Sequence, residues 1–299
     1  MSANYFSFGL GWAIPFSCPE LHPIMDKQPA DVVVRLGNVP KSLNGARPAG
    51  PLLQVTPEQV LFRFPSMAAF LINGGDEIII QSTGGIDHQV RLFLFGTVSA
   101  LLLMQRGLLP LHASGIVTPK GAVLFAGHSG YGKSTLLASF LRRGYPMLTD
   151  DLAAIELTRT APHVFPSFPS MKLWQDSATQ VGQETAGLQR VRDESLDKFS
   201  VPVEFEMAKG AVPLYAIYAL QPLNKTAVSL ESLTHAKKFN VFLDHTWQKL
   251  TLRRQGRHAA HFKQVTAVAN QVRVVRVYRP EKPFLLDELT DAIEADFLA

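Results

Sequence analysis

Apolar positions along this chain change their spacing near residue 90. Before it, short β-branched or aromatic runs recur between turn-rich spacers: DVVVRLG at 31–37, VLFRF at 60–64, AAFLI at 68–72 and EIIIQS at 77–82. NGARPAGP at 44–51 and NGGD at 73–76 supply the turns. Runs of this length bounded by Gly, Pro, Asn and Asp read as strands. Leu61-Phe62-Arg63-Phe64 also alternates as a half-buried strand does. The pattern predicts an antiparallel sheet with meander connections, a β-rich lobe over residues 1–90 with no evident catalytic constellation.

After residue 90 the runs lengthen and strands alternate with helices. Residues 93–105 read as a buried core helix, followed by LLPLHASGIV at 108–117, a hairpin turn at Pro119-Lys120-Gly121 and the strand AVLFA at 122–126. That strand enters GHSGYGKST, residues 127–135. Residues 134–143 read as a helix with Leu136, Leu137, Phe140 and Leu141 on its apolar side, and Gly144 is placed to end it. A short strand at 145–148 then runs into Thr149-Asp150-Asp151. Residues 164–174, interrupted by prolines, are expected to be irregular before a short helix. Strands are expected at 213–223 and 271–278, a helix at 229–240, and a terminal helix in DELTDAIEADFL with its acids near the favourable end of the helix dipole. This is a mixed α/β pattern with a second domain over 91–299.

Composition narrows the class. Of 299 residues, 46% are hydrophobic and 18% charged, which fits a folded core rather than a disordered chain. A net charge of +4 is too mild to imply nucleic acid. Cys18 is the single cysteine, so an intrachain disulfide framework and an all-cysteine zinc site are excluded and a reducing cytoplasm is favoured. The first residues do not have the pattern of a signal peptide. The most apolar segment, 92–109, carries Gln105 and Arg106 and is broken by Gly96 and Gly107. Its clean part is shorter than the roughly 20 residues a spanning helix needs, so no membrane insertion is expected. From 237 to 279 the chain is basic, with Asp244 its one acid. Arg254 and Arg257 there are candidates to contact phosphate or an anionic substrate; a solvated basic face is the alternative. Little aromatic interleaving argues against single-strand nucleic-acid binding.

The candidate chemistry lies around residues 127–135. Gly127, Gly132, Lys133 and Ser134 hold the fixed positions of G-x-x-x-x-G-K-[ST]. A strand before and a helix after make this a phosphate-binding loop, whose amides and helix terminus favour an anion. The expected nucleotide contacts are Gly127, His128, Ser129, Gly130, Tyr131, Gly132, Lys133, Ser134 and Thr135, with Ser134 helping to hold Mg²⁺. Asp150 and Asp151 follow a strand end. One carboxylate can hold magnesium while the other takes a proton, and the residues alone leave open which does which. An acidic turn is the structural alternative. His112 could organise the catalytic acid or be a satisfied core histidine. Glu204 and Glu206 are candidate second metal ligands, and Arg190 and Arg192 candidate substrate or phosphate contacts.

LLPLHASGIV, GHSGYGKSTL and GYPMLTDDLAAI at 144–155 together resemble the catalytic domain of HPr kinase/phosphorylase. FPSMKLW at 168–174, LQRVRDE at 188–194 and VPLYAIYAL at 212–220 are similar to a branch of HPr-kinase-like proteins encoded beside peptide-modification systems, including lasso-peptide kinases. The resemblance implies a compact P-loop kinase core related to phosphoenolpyruvate carboxykinase. It implies ATP and Mg²⁺ as cofactors, and γ-phosphoryl transfer to a serine hydroxyl of a peptide or small protein. It matches His112 to a histidine that organises the catalytic acid, Gly127, Gly132, Lys133, Ser134 and Thr135 to the ATP-phosphate loop, and Asp150 and Asp151 to the pair used for proton abstraction and magnesium coordination; with the residue reading above, the expected metal ligands are Ser134, Asp151 and Glu206. HPr kinases form hexamers, which raises a homo-oligomer. The glycine-rich signature that those enzymes carry downstream is not evident here; VPVEFEMAKG at 201–210 stands in its place, which weighs against HPr as acceptor and against phosphorylase activity.

Overall fold

A computed structural model describes residues 3–24, 29–191, 197–203 and 205–299. The chain is a mixed α/β protein that divides into two compact units, residues 1–110 with 247–264, and residues 111–246 with 265–299.

The first unit is built on a nine-stranded sheet. Its strands are β1 (Ala3–Ser7), β2 (Leu10–Ile14), β3 (Pro23–Ile24), β4 (Val32–Leu36), β5 (Arg47–Pro48), β6 (Leu53–Val55), β7 (Gln59–Phe64), β8 (Ala68–Asn73) and β9 (Glu77–Ser82). The spatial order is β3-β1-β2-β4-β9-β8-β7-β6-β5. β7, β8 and β9 form the expected meander, but β2–β4 and β4–β9 pair in parallel. The sheet is therefore mixed rather than antiparallel throughout. Local turns specify hairpins; the parallel pairs join strands distant in sequence, which periodicity does not reveal.

The unit extends past residue 90 because the next segment packs on this sheet. The helical run comprises α-helix His88–Phe93, a π segment Leu94–Val98 and α-helix Ser99–Gln105. Phe93 lies 5.6 Å from the Phe62 ring and 5.0 Å from the Phe64 ring. Gln105 Nε2 donates to the Glu58 carbonyl at 3.1 Å. Among the described residues no helix is long and apolar enough to cross a membrane.

The second unit carries a mixed sheet. After β10 (Leu109–Leu111) come β11 (Ala113–Thr118), β12 (Gly121–Ala126), β13 (Met147–Thr149), β14 (Ala153–Leu157), β15 (Pro162–Phe165), β16 (Ser170–Trp174), β17 (Lys198–Pro202), β18 (Val212–Leu223), β19 (Ser229–Ser232) and β20 (Arg273–Pro280). β12 lies between antiparallel β11 and parallel β18, and β20 pairs in parallel with β18. The predicted turn at 119–121 closes the β11–β12 hairpin. Helix Lys133–Arg142 packs Phe140 on Phe125 of β12, rings 5.2 Å apart and nearly parallel. The terminal helix Leu286–Leu298 is tied to it by Ser139–Thr290 at 3.0 Å, and Tyr218 and Arg273 both bind Asp296.

The region expected to be irregular before a short helix is instead two strands, β15 and β16, followed by helix Gln175–Gln180. β16 pairs with β17 as a separate two-stranded ribbon. The helix expected at 229–240 starts later, at His235, after strand β19.

Candidate active site

The glycine loop joins the C-terminal end of β12 to the helix that begins at Lys133. Gly132 has φ +91°, and a Cβ there would meet the Phe284 ring at 2.9 Å. Conformation and space both require glycine at this position. Arg279 braces the same part of the loop: its Nε donates to the Tyr131 carbonyl at 3.2 Å, and its guanidinium lies 4.5 Å from the Phe284 ring. The Leu136 amide makes the first bond of the helix, to the Gly132 carbonyl. The amides of Lys133, Ser134 and Thr135 therefore precede the helical ladder and can serve an anion.

Lys133 is buried. Its Nζ donates to the Gly127 carbonyl at 2.8 Å and the His128 carbonyl at 3.2 Å, and lies 3.0 Å from His112 Nε2. Burial lowers its pKa to about 8, offset in part by the charges of Asp151 and Asp150. A lysine ammonium only donates, so His112 Nε2 accepts and its Nδ1 carries the hydrogen. That Nδ1 lies 3.1 Å from Asp151 Oδ1 and 3.0 Å from the Asp151 carbonyl. His112 thus bridges the loop lysine and the acidic turn. Its own amide donates to the His245 carbonyl at 2.7 Å. Burial, reinforced by the basic side chains around it, lowers His245 to about 4.

The adjacent aspartates face different partners. Asp151 has φ +71°, a left-handed conformation costly for a residue with a Cβ. Asp150 is buried: its Oδ1 accepts from Ser114 Oγ at 2.6 Å and Ser134 Oγ at 2.9 Å, and its Oδ2 from the Lys172 amide at 2.8 Å. Asp151 instead lines the cleft and pairs with Lys172 Nζ at 2.6 Å. Burial pulls its carboxyl upward, but the Lys172 ammonium, the His112 contact and the Lys198 charge outweigh this and hold it well below the usual carboxylate range.

His112, Ser129, Gly130, Gly132, Lys133, Ser134, Thr135 and Asp151 share this cleft. Exposed His128 stacks edge-on against half-buried Tyr131, 5.3 Å between rings. Other candidates lie elsewhere. Glu206 is exposed, gives its backbone carbonyl to the Met147 amide, and does not line the cleft. Among the described residues no three His, Cys, Asp or Glu side chains gather as a metal cage. Arg190 pairs with Asp197 at 2.6 Å and lies against the Phe199 ring. Arg192 and Glu204 fall outside the described residues. Arg254 and Arg257 belong to the other compact unit. Arg254 is exposed, while Arg257 Nη1 donates to the Met104 and Gln105 carbonyls, both at 3.1 Å. That guanidinium satisfies the C-terminal carbonyls of helix Ser99–Gln105.

Sequence reasoning missed Ser114, Lys172, Trp174 and Lys198. The last three belong to the ribbon, where Met171, Leu173, Phe199 and Val201 are buried and the residues between them are half-exposed. The alternation in SMKLW was the available signal, masked by the prolines before it.

No protein-family model and no curated protein matches this chain. Among solved structures it is similar to the HPr(Ser) kinase/phosphatase from Coxiella burnetii, at 13% identity over 63% of this chain and 90% of that one, with a TM-score of 0.30. A likeness this loose decides neither fold nor chemistry; the side-chain geometry carries the reading.

Proposed function

We propose that this protein is an ATP- and Mg²⁺-dependent kinase that transfers a γ-phosphoryl group to a serine hydroxyl of a peptide or small protein. A ribosomally made precursor peptide of the lasso type is the favoured acceptor, on the resemblance of the motifs. The observation that carries the kinase reading is the division of Asp150 and Asp151 between two partners. Asp150 shares its carboxylate with Ser134 Oγ at the start of the loop helix, and Asp151 faces the cleft beside His112.

Oxygen donors of this kind suit magnesium, which takes one or two protein groups and completes its shell with phosphate and water. Ser134 and Asp150 would hold it, a better match to the geometry than the set Ser134, Asp151 and Glu206. When bound, the ion supplies charge neutralisation for the phosphates. Lys133 and the loop amides orient the nucleotide. The acceptor oxygen bonds to the γ-phosphorus as the bond to the β,γ-bridging oxygen breaks, ADP leaves with that electron pair, and Asp151 takes the hydroxyl proton. A carboxylate with a low pKa can do this because proton loss comes late in a loose transition state. His112 and Lys172 hold Asp151 in place.

The test is incubation with γ-labelled ATP and a library of precursor peptides, followed by phosphosite mapping. Transfer to serine, abolished in Asp151→Asn with nucleotide binding retained, is the expected result. Robust ATP binding with no phosphorylated peptide would sink the peptide-kinase reading. A metabolite screen then separates a small-molecule kinase from a non-catalytic nucleotide-binding regulator.

A further inference from the structure

We propose that Lys198 is a catalytic residue whose ammonium contacts the phosphoryl group in transit, and that the β16–β17 ribbon exists in part to deliver it. The inference rests on the phosphoryl-transfer reading above.

Three lysines line the cleft, Lys133, Lys172 and Lys198. Two of them are committed. Lys133 Nζ is held by the Gly127 and His128 carbonyls and by His112. Lys172 Nζ is committed to Asp151. Lys198 forms no ion pair among the described residues; its Nζ sits 5.8 Å from the centroid of the Trp174 ring. An indole face attracts an ammonium without using its hydrogen-bond donors, so those donors stay available.

The ribbon fixes this arrangement. Trp174 and Lys198 are directly opposite in register, as are Lys172 and Ser200. Met171, Leu173, Phe199 and Val201 anchor the other face in the core. Lys172, two residues before Trp174, shares its side of the strand and already reaches Asp151. Lys198 therefore lies in the next row of the same face. Lys198 lines the same cleft as Lys133, Ser134 and Asp151. A cation on this wall of the cleft faces the space that the loop lysine and the proton acceptor share.

The chemistry calls for a cation there. In phosphoryl transfer the charge spreads over three equatorial oxygens, and a cation added at that stage is worth about 10³–10⁵ in rate in related reactions. Lys133 approaches the phosphates from the loop side. Lys198 would donate to an equatorial oxygen from the other side without transferring a proton, since the acceptor's proton goes to Asp151.

The experiment measures binding of a transition-state mimic, ADP with Mg²⁺ and aluminium fluoride, by calorimetry, in wild type, Lys198→Ala and Lys198→Arg. A non-hydrolysable ATP analogue is the ground-state control. Lys198→Ala should bind the ATP analogue within about twofold of wild type yet lose about 100-fold or more for the mimic, with turnover falling in parallel. Lys198→Arg should recover part of both. Equal affinity of wild type and Lys198→Ala for the mimic overturns the inference alone, as does an effect confined to the KM of the acceptor. Absence of any Mg²⁺-dependent mimic complex in wild type overturns the phosphoryl-transfer reading and this inference with it.

Discussion

Raising the pH should loosen the nucleotide while tightening the fold, because one buried group, Lys133, drives both. Burial pushes its pKa down to about 8 in the folded chain, below the ordinary lysine value of about 10.4. That depression corresponds to about 3 kcal/mol, the balance of desolvation against the attraction of Asp151 and Asp150. The sign differs for the two observables. For folding, the pKa is depressed, so the unfolded chain binds more protons between pH 8 and 10.5 and stability rises through that window. For binding, phosphate favours the charged lysine. The protonated fraction falls from about 90% at pH 7 to about 10% at pH 9, so the dissociation constant of Mg·ADP should rise about tenfold. ADP is the appropriate ligand, because its phosphates are already ionised above neutral pH. Calorimetric titration from pH 6.5 to 9.5, beside chemical denaturation at each pH, reads both effects. Lys133→Met should bind weakly at every pH and lose both slopes. A wild-type profile that is flat to pH 9.5, or one that breaks only near 10.5, would refute the desolvation argument.

The remaining predictions separate site from scaffold. Asp150→Asn should raise the Mg²⁺ concentration needed for nucleotide binding, whereas Asp151→Asn should leave it unchanged and lower turnover by about 10²–10⁴; the reverse pattern in a magnesium titration would exchange the two roles. Gly132→Ala combines a φ of +91° with the nearby Phe284 ring, so thermal melts should show a loss of about 1–3 kcal/mol, accompanied by weaker nucleotide binding. Phe284→Ala in that background should recover only the packing part. Arg257→Ala should destabilise the chain by about 1–3 kcal/mol through the helix carbonyls it abandons, with nucleotide affinity unchanged. A selective loss of affinity with no change in melting would instead restore the phosphate-contact reading.

Much of this was legible in local sequence. Strand, glycine loop, helix, strand and acidic turn follow one another within residues 121–151, and spacing alone places them. The meander β7–β9 and the β11–β12 hairpin were legible for the same reason, since their turns adjoin their strands. What depends on distant residues was not. Ser114 meets Asp150 across 36 positions, and Lys172 meets Asp151 across 21. Arg257, grouped by sequence with a basic surface, is occupied by carbonyls more than 150 residues away.

The sequence by itself determined that a glycine loop ends a strand and opens a helix, and that two carboxylates follow at the next strand end. A short loop's backbone path is set by its own glycines, and a turn's by its own few residues. Only the tertiary structure decided which aspartate meets Ser134, which one faces the cleft, and which lysines stand over it. The left-handed turn at Asp151 sends adjacent side chains to different partners, and the ribbon brings Lys172 and Lys198 in from well downstream. Those pairings are set by packing between segments far apart in the chain, which no local periodicity records.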